Sequence, residues 1–281
     1  MHVSTWSIPS GGANEPQRRV RGRCALPAGA TRVPWLLVAP GYTASVAHTF
    51  YPALLQRCVA AGFGCVQLAF SGTGLGEDLE TVAHPDLASR ATYGWELDDL
   101  EAAWRHAASG ALSNRLDLGR ATLLGHSRGG GMAVVHAAEH QGRYTAVVTW
   151  NAIHAILRFS PLRLQVWRAK GNLDVMHWSL GRRIPLDVAV LEHAEAHRAR
   201  YDIQAAAARL EAPLLVVQSE DDDAVTPAEG RELAAAGGAE LRLVAGADHW
   251  FGMRGRTPAP TPEFGAAVDA TLGWLGARLT R

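Results

Sequence analysis

Short apolar runs and longer helical patterns alternate from about residue 33 to residue 280, and no other feature narrows the possible folds as much. The runs at 34–39, 65–70, 121–124, 145–150, 213–218 and 240–244 have strand length and are rich in Val and Leu. Most are apolar on consecutive residues, as in Trp35-Leu36-Leu37-Val38, so both faces of each strand have to be covered. The stretches at about 47–61, 96–108, 130–140, 227–236 and 262–279 read as helices. In one of them Leu97, Leu100, Ala103, Trp104 and Ala107 recur at helical spacing. Doubly buried strands, each followed by a helix, predict a mostly parallel sheet with helices on both faces. The expectation is a three-layer α/β domain of about eight strands spanning 1–281. The rhythm breaks only at about 151–210, a stretch with Trp167, Trp178 and many Arg and His but no clear strand. It falls after a strand, at the sheet end where open α/β folds bind ligands, and is expected to form a small helical cap insertion.

Composition removes several alternatives. Lys+Arg and Asp+Glu both number 27, and the formal net charge is zero. The one basic cluster, Arg18, Arg19, Arg21 and Arg23, reads as a solvated strand or loop face. No nucleic-acid partner is expected. Cys24, Cys58 and Cys65 form neither a disulfide framework nor a metal-binding spacing. The first residues lack the pattern of a signal peptide, and no apolar run approaches a membrane span. A cytoplasmic protein that does not engage membranes is expected. Phe70-Ser71-Gly72-Thr73-Gly74-Leu75-Gly76 lacks both the Lys and the full glycine spacing of a phosphate loop.

The chemistry centres on Gly125-His126-Ser127-Arg128-Gly129-Gly130-Gly131. A serine hydroxyl is a weak nucleophile unless it is exposed, oriented and paired with a base. A sharp turn from strand to helix exposes it and crowds the positions two before and two after, where glycine relieves the contact. Five residues can arise by chance. The setting carries the reading: an apolar strand precedes Ser127, and an Ala/Val/Met helix follows.

This elbow, its flanks and the strand rhythm resemble the α/β-hydrolase superfamily. They are similar to its dienelactone-hydrolase-like and prolyl-oligopeptidase-like esterase branches over about residues 33–280. The resemblance implies the order nucleophile, acid, histidine. His249, in Gly246-Ala247-Asp248-His249-Trp250-Phe251 after the last strand, matches the family's histidine loop and is the expected base. The acid comes from Glu220-Asp221-Asp222-Asp223. Aligning Val225 with the family's Gly-x-x-Asp-x-x-Val-Pro selects Asp222 over Asp221 and Asp223, with Ser219 standing where the family has Gly. The backbone amides of Arg128 and Tyr42 are the expected oxyanion donors. Pro40 replaces the histidine common before that loop. The Arg128 side chain either braces loops or meets a substrate carboxylate. Trp150, Trp167, Trp178 and Trp250 serve as core or as the walls of an apolar pocket.

The expected activity is hydrolysis of a carboxylic ester in a small acyl substrate, with no cofactor implied. A peptidase or thioesterase using the same triad, and a hydrolase-fold binding protein without turnover, are the competing readings. His193 and His197 share one helix face, but the order Glu-His-x-x-x-His is not that of a zinc protease.

Overall fold

The structure is a computed structural model that describes residues 1–12, 15–29, 31–256 and 258–279. Strands β1 (Val3–Pro9) and β2 (Arg19–Ala25) come first, followed by β3 (Val33–Ala39), α1 (Tyr51–Ala60), β4 (Gly64–Ala69), α2 (Pro85–Arg90), α3 (Tyr93–Ala108), β5 (Leu116–His126), α4 (Arg128–Glu139) and β6 (Ala146–Trp150). An inserted segment then carries α5 (Pro161–Lys170), β7 (Asn172–His177), β8 (Arg182–Asp187), α6 (Val188–Ala196) and α7 (Ile203–Ala208). The chain ends with β9 (Leu214–Ser219), α8 (Pro227–Ala236), β10 (Glu240–Val244) and α9 (Pro262–Leu279).

Eight strands form one sheet in the order β1-β2-β4-β3-β5-β6-β9-β10. The six from β4 to β10 are mutually parallel, while β1 and β2 add an antiparallel edge. The side-chain period of two divides the core. Trp35, Leu37 and Ala39 point into one cluster with α3, α4, α7 and α8. Leu36 and Val38 point into the other with α1 and α9. The three-layer α/β-hydrolase architecture read from the sequence is the one the chain adopts. No helix among the described residues is long and apolar enough to cross a membrane.

Three local readings change. The run is not a solvated face: Arg19–Arg23 lies in β2 with Arg18 just before it, and Arg18 and Arg21 are buried. The Arg18 guanidinium lies 4.1 Å from the centre of the Trp95 ring and 3.7 Å from the Asp99 carboxylate, and Arg21 pairs with Glu77 at 3.2 Å. These partners are distant in sequence, so the run itself looks merely basic. The helix expected from 47 begins instead at Tyr51, because Thr49 takes a left-handed backbone conformation (φ 54°) that ends the preceding loop. The stretch read as strand-free holds the antiparallel β7–β8 hairpin. Its signal was present in part: Ile184 and Leu186 alternate with exposed neighbours on β8, and Gly181 marks the turn before it.

The inserted segment has its own small cluster: Trp167, Leu173, Leu186, Val190 and Leu191. The Trp167 indole N–H donates to the Leu186 carbonyl at 3.0 Å. The hairpin tip is clipped to the loop after β3. Trp178 N–H donates to Thr43 Oγ1 at 2.9 Å, and Ser179 Oγ donates to the Thr43 carbonyl at 2.7 Å.

Candidate active site

Ser127 sits between the end of β5 and the start of α4 with φ 56° and ψ −125°. A backbone in this region costs about 1–3 kcal/mol and persists only where its surroundings over-determine it. They do so here. Ser127 N–H donates to the Trp150 carbonyl at 2.9 Å, and the Ser127 carbonyl accepts from Gly130, Gly131 and Ile153. The flanking glycines are sterically required. A Cβ on Gly125 would lie 2.4 Å from the Gly129 carbonyl oxygen, and one on Gly129 would lie 2.1 Å from the Pro40 carbonyl oxygen. The elbow is therefore packed directly against the loop that carries Tyr42.

His249 follows β10, and its Nδ1 lies 2.7 Å from Asp222 Oδ2. Both residues are buried. The other Asp222 oxygen accepts from the amides of Ala224 and Val225, each at 2.8 Å. Asp222 can only accept, so His249 donates through Nδ1–H and its Nε2 is the basic end. Of the four adjacent carboxylates only Asp222 faces the imidazole, while Glu220, Asp221 and Asp223 are exposed. Ser127 is partly accessible and borders a cavity of about 370 Å³. No hydrogen bond joins Ser127 Oγ to His249, a distance that commonly tightens only once substrate is bound.

The Arg128 amide opens α4 at its N-terminus, where backbone N–H groups have no partner within the helix. Tyr42 lies in a loop closed by Ala44 N–H to the Gly41 carbonyl and by Gly41 N–H to Tyr51 Oη at 3.0 Å, two bonds that leave the Tyr42 amide unused. The Arg128 side chain turns away into a buried pair, its Nε 2.8 Å from a Glu96 oxygen. Its guanidinium stands 4.0 Å from the Tyr93 ring centre and 4.8 Å from that of Tyr42. Burial opposes its charge, yet the Glu96 carboxylate outweighs that and holds the guanidinium protonated. Burial likewise pushes the Tyr42 hydroxyl up to about 12, keeping it neutral.

Three supporting residues escaped the sequence reading. His126 is fully buried, and desolvation holds its pKa well below the usual histidine range. Its Nε2 lies 3.0 Å from the His249 carbonyl, an acceptor, so that nitrogen carries the proton; Nδ1 then accepts from Tyr51 Oη at 3.2 Å. Tyr51 thus joins the Tyr42 loop to the elbow, and His126 joins the elbow to the His249 loop. Asn151, just past β6 at φ 46°, donates to the His249 carbonyl at 3.0 Å and to Ser219 Oγ at 2.9 Å, and accepts from Ser219 N–H at 2.7 Å. Ser219, the departure from the family's glycine, is thereby used as a tie. The only hint of Asn151 in the sequence was a polar residue directly after an apolar strand.

His193 and His197 stack at 4.3 Å, and His197 Nδ1 donates to the His193 carbonyl, which takes up one of its two ring nitrogens. Among the described residues one group has metal-compatible spacing, Glu101, His136 and His140, with ligand atoms within 4.8 Å of one another. Glu101 is already paired with Arg105 and Arg143.

Residues 49–259 match the sequence model of the prolyl oligopeptidase family. No curated protein matches the sequence. Solved structures share the fold at low identity. Est1E from Butyrivibrio proteoclasticus superimposes with a TM-score of 0.70 and 14% identity over 98% of this chain and 99% of its own. Dienelactone hydrolase from Anabaena variabilis gives 0.61 and 17%, covering 99% of both chains. A puromycin-hydrolyzing peptidase from Mycobacterium tuberculosis gives 0.65 and 18% over 98% of this chain and 39% of that one.

Proposed function

The chain belongs to the prolyl oligopeptidase family of α/β serine hydrolases, and from that premise we propose that it hydrolyses a carboxylic ester through Ser127, His249 and Asp222. The observation that carries this reading is the buried Asp222–His249 pair beside an elbow whose serine borders a cavity. Ser127 Oγ attacks the ester carbonyl carbon and its proton passes to His249 Nε2. Asp222 fixes the imidazole tautomer and stabilises the imidazolium. The amides of Arg128 and Tyr42 receive the negative charge that develops on the carbonyl oxygen; losing such a donor typically costs roughly 10²–10³ in rate. His249 then protonates the departing alkoxide. Water, deprotonated by the same nitrogen, releases the acid from the acyl-enzyme. The segment at 151–210 acts as a cap, supplying the outer wall of the cavity.

A cavity of about 370 Å³ lies at the small end of ligand pockets and suits a compact acyl group better than a peptide. The esterase and dienelactone hydrolase among the structural neighbours favour the same choice. The family name and the puromycin-hydrolyzing neighbour favour an aminoacyl amide instead, so both substrates belong in the test. Wild type and Ser127→Ala are treated with a fluorophosphonate probe and assayed on chromogenic esters, thioesters and aminoacyl anilides. The expected result is labelling and ester turnover that both vanish in Ser127→Ala. Anilide turnover above ester turnover would replace the esterase by a peptidase, and an unlabelled Ser127 would remove the hydrolase mechanism altogether.

A further inference from the structure

The charged lining of the Ser127 cavity has a single sign. Arg128, Arg158, Arg163 and Arg183 border it, and among the described residues no Asp, Glu or Lys does. Two of the four are neutralised from outside the cavity: Arg128 by Glu96, and Arg158 by Glu229 at 2.5 Å. The other two are not. Arg163 has no carboxylate within 4.0 Å among the described residues, and its guanidinium lies 5.1 Å from the centre of the Phe159 ring. Arg183 donates to the Asp174 backbone carbonyl at 3.1 Å and likewise has no ion-pair partner there. Both are exposed, one in the first turn of α5 and the other on β8, so they stand where the cavity opens. Much of the remaining lining is apolar, with Ile153, Ile156, Val175, Met176 and Leu186.

A substrate that complements this lining is apolar along its length and anionic at one end. We propose that the cavity selects esters carrying a carboxylate remote from the scissile bond, with Arg163 and Arg183 receiving that carboxylate at the rim. This rests on the ester-hydrolase reading and adds the substrate's charge to it. Guanidinium is the suitable partner because its planar fork meets both carboxylate oxygens. Two unpaired cations also attract an anion before it docks, an effect that salt screens over roughly 10 Å. The residues that set this preference are separate from those that carry the proposed chemistry.

The test compares monoethyl and diethyl esters of straight-chain dicarboxylic acids from butanedioic to decanedioic. At the best chain length and low salt, kcat/KM for the half ester should exceed that for the diester by about fivefold, the upper scale of an exposed ion pair. The ratio should fall in high salt and approach one in the double variant Arg163→Gln/Arg183→Gln. It should invert in Arg163→Glu/Arg183→Glu when an ester with a terminal ammonium is the competitor. A wild-type ratio at or below one at every length, or a ratio unchanged in the double variants, overturns the proposal. If wild type hydrolyses neither ester, calorimetry on Ser127→Ala separates the two claims. Half-ester binding stronger than diester binding, and lost in the Arg163→Gln/Arg183→Gln background, supports the anion site while the esterase reading fails. Equal or absent binding overturns the anion site as well.

Discussion

Ser127 and Asp222 stand just past strands buried on both faces and His249 in the loop after the edge strand β10, whereas Arg163, Trp178 and Arg183 belong to a segment whose own core is five buried side chains. The first group is held by crowding and by buried hydrogen bonds. Gly125 and Gly129 admit no side chain, Asp222 is anchored by two amides, and Asn151 and His126 both fix the His249 carbonyl. The second group is held by one tryptophan-centred cluster and by the clip at Thr43. A close-packed region resists the loss or addition of even one methyl group, while a small satellite cluster tolerates more. The arrangement separates a rigid reacting centre from a wall that can change with the substrate.

The sharpest way to break that comparison is at the acid. Asp222→Asn should lower kcat for Ser127-dependent ester hydrolysis by roughly 10⁴-fold, as expected when the histidine loses its orienting acceptor. Asp221→Asn and Asp223→Asn, being exposed, should stay within about twofold. Damage from Asp221→Asn without damage from Asp222→Asn would move the chemistry off the buried pair. Gly129→Ala should destabilise the whole fold by on the order of 3 kcal/mol, read from urea unfolding, because its Cβ meets the Pro40 carbonyl. A wild-type midpoint would show that the elbow is looser than its contacts imply.

Trp167→Ala should act only on the inserted segment. Amide exchange in α5, β7, β8 and α6 should accelerate by on the order of 10²-fold, the equivalent of about 3 kcal/mol of lost packing, while β3, β5 and β6 keep their protection. Uniform acceleration would mean that the two regions unfold as one unit. Tyr51→Phe removes the hydroxyl shared by Gly41 N–H and His126 Nδ1. It should cost about 1–3 kcal/mol and lower kcat more than it raises KM, since the Tyr42 loop loses its tie to the elbow. A change confined to KM would assign Tyr51 to substrate binding instead.

The last prediction concerns acid. His126 is held well below the usual histidine range, and His136 is pushed down to about 4; in both, burial is the largest cause. The unfolded chain takes up these protons as pH falls through about 6.5, while the folded chain does not, so stability declines from there downward. For His136 the decline levels off near pH 4, where the folded form also binds its proton. Urea unfolding across this range should show the slope, and His136→Gln should flatten it. An unchanged slope in that variant would assign the acid sensitivity to other groups.

The sequence alone determined what depends on near neighbours. Strand and helix periodicity gave the layered sheet, and the glycines at 125 and 129 marked the elbow, because sterics at a tight turn act within a few residues. What pairs across long separations was invisible there. Arg18 looked solvated until Asp99 and Trp95 were folded against it, and the β7–β8 hairpin, short in its alternation, is held by the Trp167 cluster and by Thr43. Asn151 gained its meaning only from Ser219 and His249, and Arg163 and Arg183 became a pair only when α5 and β8 met over one cavity. The tertiary structure decided these points because burial, and the charge left uncompensated by burial, belong to the packed chain and to no segment of it.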